Sequence, residues 1–360
     1  MTIPTEPIGS IPRPRYLIDA MTAFSKQELP EQELAKLFDK ALEETIKAFE
    51  ATGSPVITDG EQLKPSFATY PVHGLKTLSP NGVVIPFADG HTRQLPTITA
   101  GPFRYQAYAG SYLQKARSLT KTPVKQAVIS ASALSLLYPQ EGIDGYSRDQ
   151  FISDLLDEAE KDIRFCLNNG AYNVQIDFTE ARLAVKLDPS KGLLKAFVDL
   201  NNQVLDRFTP EQRKKIGVHT CPGGDHDSTH SADISYTELL PYLFELNASN
   251  FYLEYAAEND KQLVLQAIRE SARPNQRIFI GVTNVLDPRV ETPEEIRDMI
   301  LEAASVIPLE QLGTTDDCGF SPFADDVSTS RETAFAKIKA RLEGTRLAEK
   351  QLNKSQATTT

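Results

Sequence analysis

Tryptophan is absent from the 360-residue chain, and cysteine and methionine occur only three times each. Three cysteines, an odd number, cannot form the disulfide framework of a small secreted domain, and in a reducing compartment they suit thiolate chemistry. Basic excess is missing as well. The 38 Lys and Arg against 49 Asp and Glu leave a net charge of −11. Without a basic stripe, nucleic acid and an anionic membrane surface are excluded as partners. No apolar run approaches the ~18–20 residues that span a bilayer. The first residues, Met1-Thr2-Ile3-Pro4-Thr5-Glu6, carry neither the charged nor the apolar region of a secretory signal. Together these absences predict a cytoplasmic protein. Also missing are a Gly-x-Gly-x-x-Gly turn and a Walker loop, which argues against dinucleotide and nucleoside triphosphate sites. What is present is ample core material: 17 Phe, 12 Tyr and 40% apolar residues.

A strand-then-helix rhythm runs along the chain. Short apolar runs over 7–11, 55–58, 124–130, 172–177, 216–221, 251–256, 277–282 and 312–318 read as strands. Helical patterns follow most of them, notably over about 31–52, 147–169, 191–207, from 236, and from 331 to 349. Ser147 with Gln150, and Thr292 with Glu295, carry the spacing of capping boxes. Gly53 and Gly170 stand where helices should stop. Eight β/α steps with almost purely apolar strands predict a (β/α)8 TIM-type barrel over residues 1–350, a single catalytic domain. Residues of about 71–106 break the rhythm with Pro-Asn-Gly, Ala-Asp-Gly and short β-rich pieces. They predict an inserted β-hairpin or meander after the second strand, either a plain covering flap or a substrate lid. Residues 351–360 read as a flexible tail.

One stretch organises the chemistry. His219 and Cys221 are two apart at the end of the fifth strand, so both side chains point to the same face. That spacing suits a metal clamp; a buried cysteine acting as a small hydrophobe is the bland alternative. Glu254 and Cys318 lie at the ends of later strands. One His, two Cys and one Glu make a complete tetrahedral set for Zn²⁺. Glu258, four residues after Glu254 and of the same strand parity, is a rival ligand. Ser10, Glu61 and Asp177 also sit where strands end, and a barrel places its site at that face. Cys166 falls at a core position of a helix, while His73 and His91 lie in the insertion without a clear signal.

The pieces Ile8-Gly9-Ser10-Ile11-Pro12-Arg13-Pro14, Asp59-Gly60-Glu61, Gln175-Ile176-Asp177, His219-Thr220-Cys221, Tyr252-Leu253-Glu254-Tyr255, Asp287-Pro288-Arg289 and Asp317-Cys318-Gly319-Phe320 occur in one order along nearly the whole chain. In this the chain resembles the catalytic zinc barrel of the cobalamin-independent methionine synthase family, and in particular its short single-barrel relatives. The resemblance implies zinc held by His219, Cys221, Glu254 and Cys318. It implies that Glu61 and Asp177 hold the amino group of the thiol amino acid, with Ile8 to Ser10 lining its carboxylate side. It implies a methyltransferase of the methyltetrahydropteroyltriglutamate–homocysteine kind, in which a zinc-bound thiolate accepts the methyl group to give methionine. The small-molecule partners are then a thiol and an alkyl donor.

Two departures mark the donor half. Similar methylfolate enzymes pack a Trp on the pterin, where this chain places Leu136 or Leu137. They also carry a His-Ser-Pro-Arg turn, which reads Leu286-Asp287-Pro288-Arg289 here. His226 and His230, in the loop after Cys221, are the candidate replacements for the missing acid; solvated loop residues are the other reading. Three alternatives therefore stand beside methyl transfer to homocysteine: another alkyl group, another thiol, or a non-catalytic protein that binds zinc and thiol.

Overall fold

The computed structural model describes residues 2–357. Six parallel strands form the central sheet: Gln126–Ile129, Val174–Asp177, Ile216–Thr220, Asn250–Leu253, Arg277–Gly281 and Leu312–Thr315, each hydrogen-bonded to the next in that order. Almost every strand residue is buried, because the strands are covered on both faces. Val174, Ile176, Ile216, Val218, Phe251 and Ile278 join the main core, in which the flanking helices also pack. At ~1.5–3 kcal/mol for each buried large side chain, this layer is a major source of stability.

Two further parallel contacts complete the ring. Thr5 bridges Thr314 at one edge, and Ile57 bridges Val124 at the other. The two outer segments meet each other: Thr58 Oγ1 donates to Gly9 O at 2.8 Å, and Ile11 N to Gly60 O at 3.0 Å. The chain is thus a TIM-type α/β barrel. The first two strands are only single bridges: one at Thr5, ahead of the run 7–11 that was expected, and one at Ile57, within the expected 55–58. Pro4, Pro7, Pro12 and Pro55 explain this, since a proline has no N–H to give to a ladder.

The capping boxes are in place: Ser147 and Gln150 open the helix Arg148–Asn168, and Thr292 and Glu295 open Pro293–Ala304. The helix expected from residue 236 is two short turns, Tyr236–Glu238 and Leu240–Leu243, with Pro241 starting the second. Within 71–106, Leu78–Ser79 pairs with Thr97–Ile98, and Val84–Pro86 pairs with Thr92–Gln94, one antiparallel ladder nested in the other. Its tip docks on the loop after Cys221, where Ala88 N donates to Thr229 O at 2.9 Å. The helix Arg331–Ala357 continues past residue 351, into the segment where a flexible tail was expected. No Pro interrupts it, and Leu352 packs on the core; residues 358–360 lie outside the described residues. No helix among the described residues is long and apolar enough to cross a membrane.

Candidate functional site

Parallel register gathers the inward-facing residues into layers. Asp177 pairs with His219, and His219 with Tyr252, so these three face the barrel interior side by side. Cys221 stands one step higher on the same face as His219. Cys318 arrives from the loop after the last strand, and Gly319 lets that loop close in. A Cβ on Gly319 would lie 2.2 Å from Ser10 Oγ. Ser10 O then accepts from Phe320 N at 3.0 Å, and Ser10 Oγ from Ser321 N at 3.1 Å.

The ligand atoms of His219, Cys221 and Cys318 all lie within 4.8 Å of one another, and all three residues are buried. The two sulfurs are 3.0 Å apart. The neighbouring Cys318 thiol, then His219, holds Cys221 well below the ordinary thiol range, while Cys318 is pushed up. One sulfur of the pair is thus readily a thiolate. His219 Nδ1 lies 3.3 Å from Tyr252 O, and its Nε2 is buried without a hydrogen-bond partner. A backbone carbonyl on one ring nitrogen fixes the tautomer that offers the other nitrogen to a metal.

Glu254 is not within that group of three and does not line the adjoining cavity. It is buried, with Oε2 3.5 Å from Arg182 Nη2 and without a hydrogen bond of its own. Burial pushes its carboxyl up, against the pull of Arg182. Asp317 braces the turn that carries it, accepting from the backbone N–H groups of Tyr255, Ala256 and Ala257 at 2.8–2.9 Å. Glu258, the rival ligand, is paired to Arg182 and stays outside the cluster. Two orphaned polar atoms, His219 Nε2 and Glu254 Oε2, beside a thiol pair fit a thiophilic divalent metal.

Above the cluster opens a cavity of about 510 Å³. Ile8, Ser10, Glu61, Asp177, His219, Cys221 and Cys318 all line it. Glu61 is presented by a left-handed turn, with φ of 65° at Gly60 and 54° at Glu61 itself. Such strain in a non-glycine residue is typical of functional sites. Lys64 Nζ lies 3.2 Å from Glu61 Oε1. Gln175 Nε2 donates to Asp177 Oδ1 at 2.7 Å. Burial pushes Asp177 up to about 7; the nearby Glu61 adds to this and His219 opposes it. The nested ladders supply Ile85, Phe87, Arg93 and Leu95 as a roof.

The two loop histidines separate. His226 is outside the lining and turns to Asp326 and Arg93. His230 is in the lining, but burial pushes it down to about 4 and its Nδ1 meets Ser231 Oγ at 2.7 Å. Burial thus favours its neutral form, a poor proton donor. Leu136 lines the cavity, whereas Leu137 does not. Sequence reasoning missed Glu180 and Arg93, which line the cavity, and Arg182, which pairs with Glu254 and Glu258. Glu180 and Arg182 follow Asp177 by only a few residues, and their nearness to a strand end was the available signal.

The profile of the family described as "Cobalamin-independent synthase, Catalytic domain" matches residues 3–333. A methionine synthase of Pyrococcus furiosus is 23% identical over 99% of this chain and 96% of its own length. That of Thermococcus kodakarensis is 22% identical over 97% of this chain and 94% of its own. Among solved structures, a B12-independent methionine synthase from Shewanella sp. W3-18-1 in complex with selenomethionine has a TM-score of 0.76 at 20% identity, covering 98% of this chain and 99% of that one.

Proposed function

The chain belongs to the family of cobalamin-independent synthase catalytic domains, and from that premise we propose that it methylates homocysteine to methionine with zinc as its metal. His219, Cys221 and Cys318 hold the ion, and Glu254 is its fourth ligand. A zinc ion there supplies the Lewis acidity that lets a thiol lose its proton near neutral pH and fixes its sulfur in place.

The rest is done by the chain's own residues. Glu61 and Asp177 receive the substrate ammonium, whose charge favours ionised Asp177 over the protonated form that burial alone promotes. Ile8 and Ser10 border the carboxylate. Arg182 positions Glu254 through their ion pair, and Asp317 fixes the turn beneath it. The apolar roof excludes water from the reacting sulfur, which keeps an anionic nucleophile unsolvated. That the Shewanella relative was solved in complex with selenomethionine suits a methionine product here.

The observation that carries this reading is the convergence of one imidazole and two thiols, from two separate strand ends, at the cavity floor. Cys221→Ser and Cys318→Ser should each lose bound zinc, measured by elemental analysis, together with methionine formation, while keeping native circular dichroism. Full zinc occupancy with unchanged turnover in both variants would overturn the assignment.

A further inference from the structure

The two ladders of the insertion are held in different ways. The outer one, Leu78–Ser79 with Thr97–Ile98, is rooted in the body: Ile98 is buried, and its N–H donates to Leu137 O at 2.9 Å. In the inner one, Val84–Pro86 with Thr92–Gln94, no residue is fully buried. Pro80, Gly82 and Pro96 stand between the two. Proline has no N–H for a ladder, and the strand pairing breaks at this joint. The inner ladder is thus a separate piece, hung over the cavity that its Ile85 and Arg93 help to line.

Arg93 fastens that piece to the body. Its Nε and Nη2 donate to Asp225 Oδ2 and Oδ1 at 2.5 and 3.1 Å. Its Nη2 and Nη1 donate to Asp325 Oδ1 and Oδ2 at 2.8 and 3.1 Å, and the guanidinium lies over the Phe323 ring at 4.1 Å. Asp225 is in the loop that leaves Cys221; Phe323 and Asp325 are in the loop that leaves Cys318. The Asp225 side chain is wholly buried, where a carboxylate needs a cation beside it. With His226 and Asp326 it has the spacing of a metal cluster, ligand atoms within 4.8 Å, but Arg93 already supplies the positive charge. His226 and Asp227, at the tip of that loop, have φ of 48° and 58°. Side chains adopt such a turn at a cost, so the tip depends on outside support. One arginine thus ties the roof to both loops that descend from the thiols.

We infer that Arg93 is a positioning residue, the latch of a lid: the inner ladder swings on the joint at Pro80, Gly82 and Pro96, and Arg93 holds it shut on the loops that follow Cys221 and Cys318. The inference deepens the reading above, from which it takes homocysteine as the molecule admitted. Shut, the lid places Ile85 and Phe87 in the cavity wall and keeps water from the reacting sulfur. Swung open, it frees the mouth. The ion pairs exist only in the shut form, so their strength sets the fraction of time the cavity is open. Arginine suits this task better than lysine, because a planar fork grips two carboxylates at once.

The test uses the zinc-loaded full chain. In Arg93→Gln, amide hydrogen exchange over residues 83–95 should quicken about tenfold or more, the scale of losing charge-assisted hydrogen bonds, while 78–79 and 97–98 keep their protection. Homocysteine should then associate faster, measured by stopped flow, because a larger fraction of the protein is open. A brace with no gating role cannot speed association. Arg93→Lys should fall between the two. Asp325→Asn leaves the buried pair of Arg93 with Asp225 intact, and should show the same changes on a smaller scale even where Arg93→Gln fails to fold. Exchange unaltered over 83–95, or quickened equally in the outer ladder, would overturn the lid. So would association that is unchanged or slower in both variants. An unmutated protein that binds no homocysteine would overturn the methyl-transfer reading instead, with the lid still decided by exchange.

Discussion

At the amino-terminal end of the barrel Glu6 and Lys125 are enclosed by partners; at the carboxy-terminal end several buried polar groups are not. Glu6 is the centre of the first group. Its Oε1 accepts from Asn173 Nδ2 at 2.9 Å, and its Oε2 from Tyr252 Oη at 2.7 Å. Lys125 Nζ stands 3.6 Å from Glu6, donates to Pro7 O at 2.8 Å and lies 3.4 Å from the centre of the Tyr252 ring. At the opposite end, His219 Nε2, Glu254 Oε2, Glu180 Oε2 and Gln175 Oε1 are equally buried but make no hydrogen bond. Protein groups satisfy the first set, which points to a role in holding the ring together. The second set has donors and acceptors to spare, which is what a binding site needs.

The sharpest way to break this contrast is Lys125→Met. It strands Glu6 without its cation and should cost about 3–5 kcal/mol in urea unfolding. Zinc content per folded molecule should not change, because the mouth is built from other residues. Loss of zinc at native stability would erase the distinction between the two ends.

A second effect, on the order of 3 kcal/mol, follows from titrating the same lysine. Burial lowers Lys125 from 10.5 to about 8, against the opposing pull of Glu6. Between those two values the unfolded chain binds the proton and the folded one does not. Folding therefore becomes more favourable as pH rises through that window. The stability gap between the unmutated protein and Lys125→Met should widen from about pH 8 to pH 10.5; a constant gap would contradict it.

The smallest effect belongs to the mouth. Glu61→Gln removes one carboxylate from the ammonium site and should weaken homocysteine binding by about 1.5–3 kcal/mol, read by calorimetry. The melting temperature should fall only modestly, because Lys64 Nζ loses its carboxylate partner but still donates to Ala127 O at 2.9 Å. A large loss of stability with unchanged thiol affinity would place Glu61 in the structural class with Glu6.

Much of this was legible in the chain. Period-two logic put His219 and Cys221 on one face, and capping signals marked the openings of Arg148–Asn168 and Pro293–Ala304. Strand ends announced Ser10, Glu61 and Asp177. Pairings across space were not legible. Nothing local in Ala181–Leu187 shows that Arg182 reaches Glu254 and Glu258, some seventy residues on. Prolines shortened the first two strands to single bridges, an effect that apolar content alone conceals. The separation of His226 from His230 depends on how one loop folds under the nested ladders, which neither residue type nor spacing encodes.

The seam of the barrel has a temporal consequence. Thr314 N donates to Pro4 O at 2.8 Å, and Glu6 N to Thr314 O at 3.0 Å, so the ring is shut by residues from opposite ends of the polypeptide. During synthesis the early segments must wait, with one sheet margin uncovered, until the last strand has left the ribosome. The thiol pair is completed by Cys318, only a few residues later than Thr314. Closure of the ring and assembly of the metal cluster are thus tied to the same late moment in the birth of the chain.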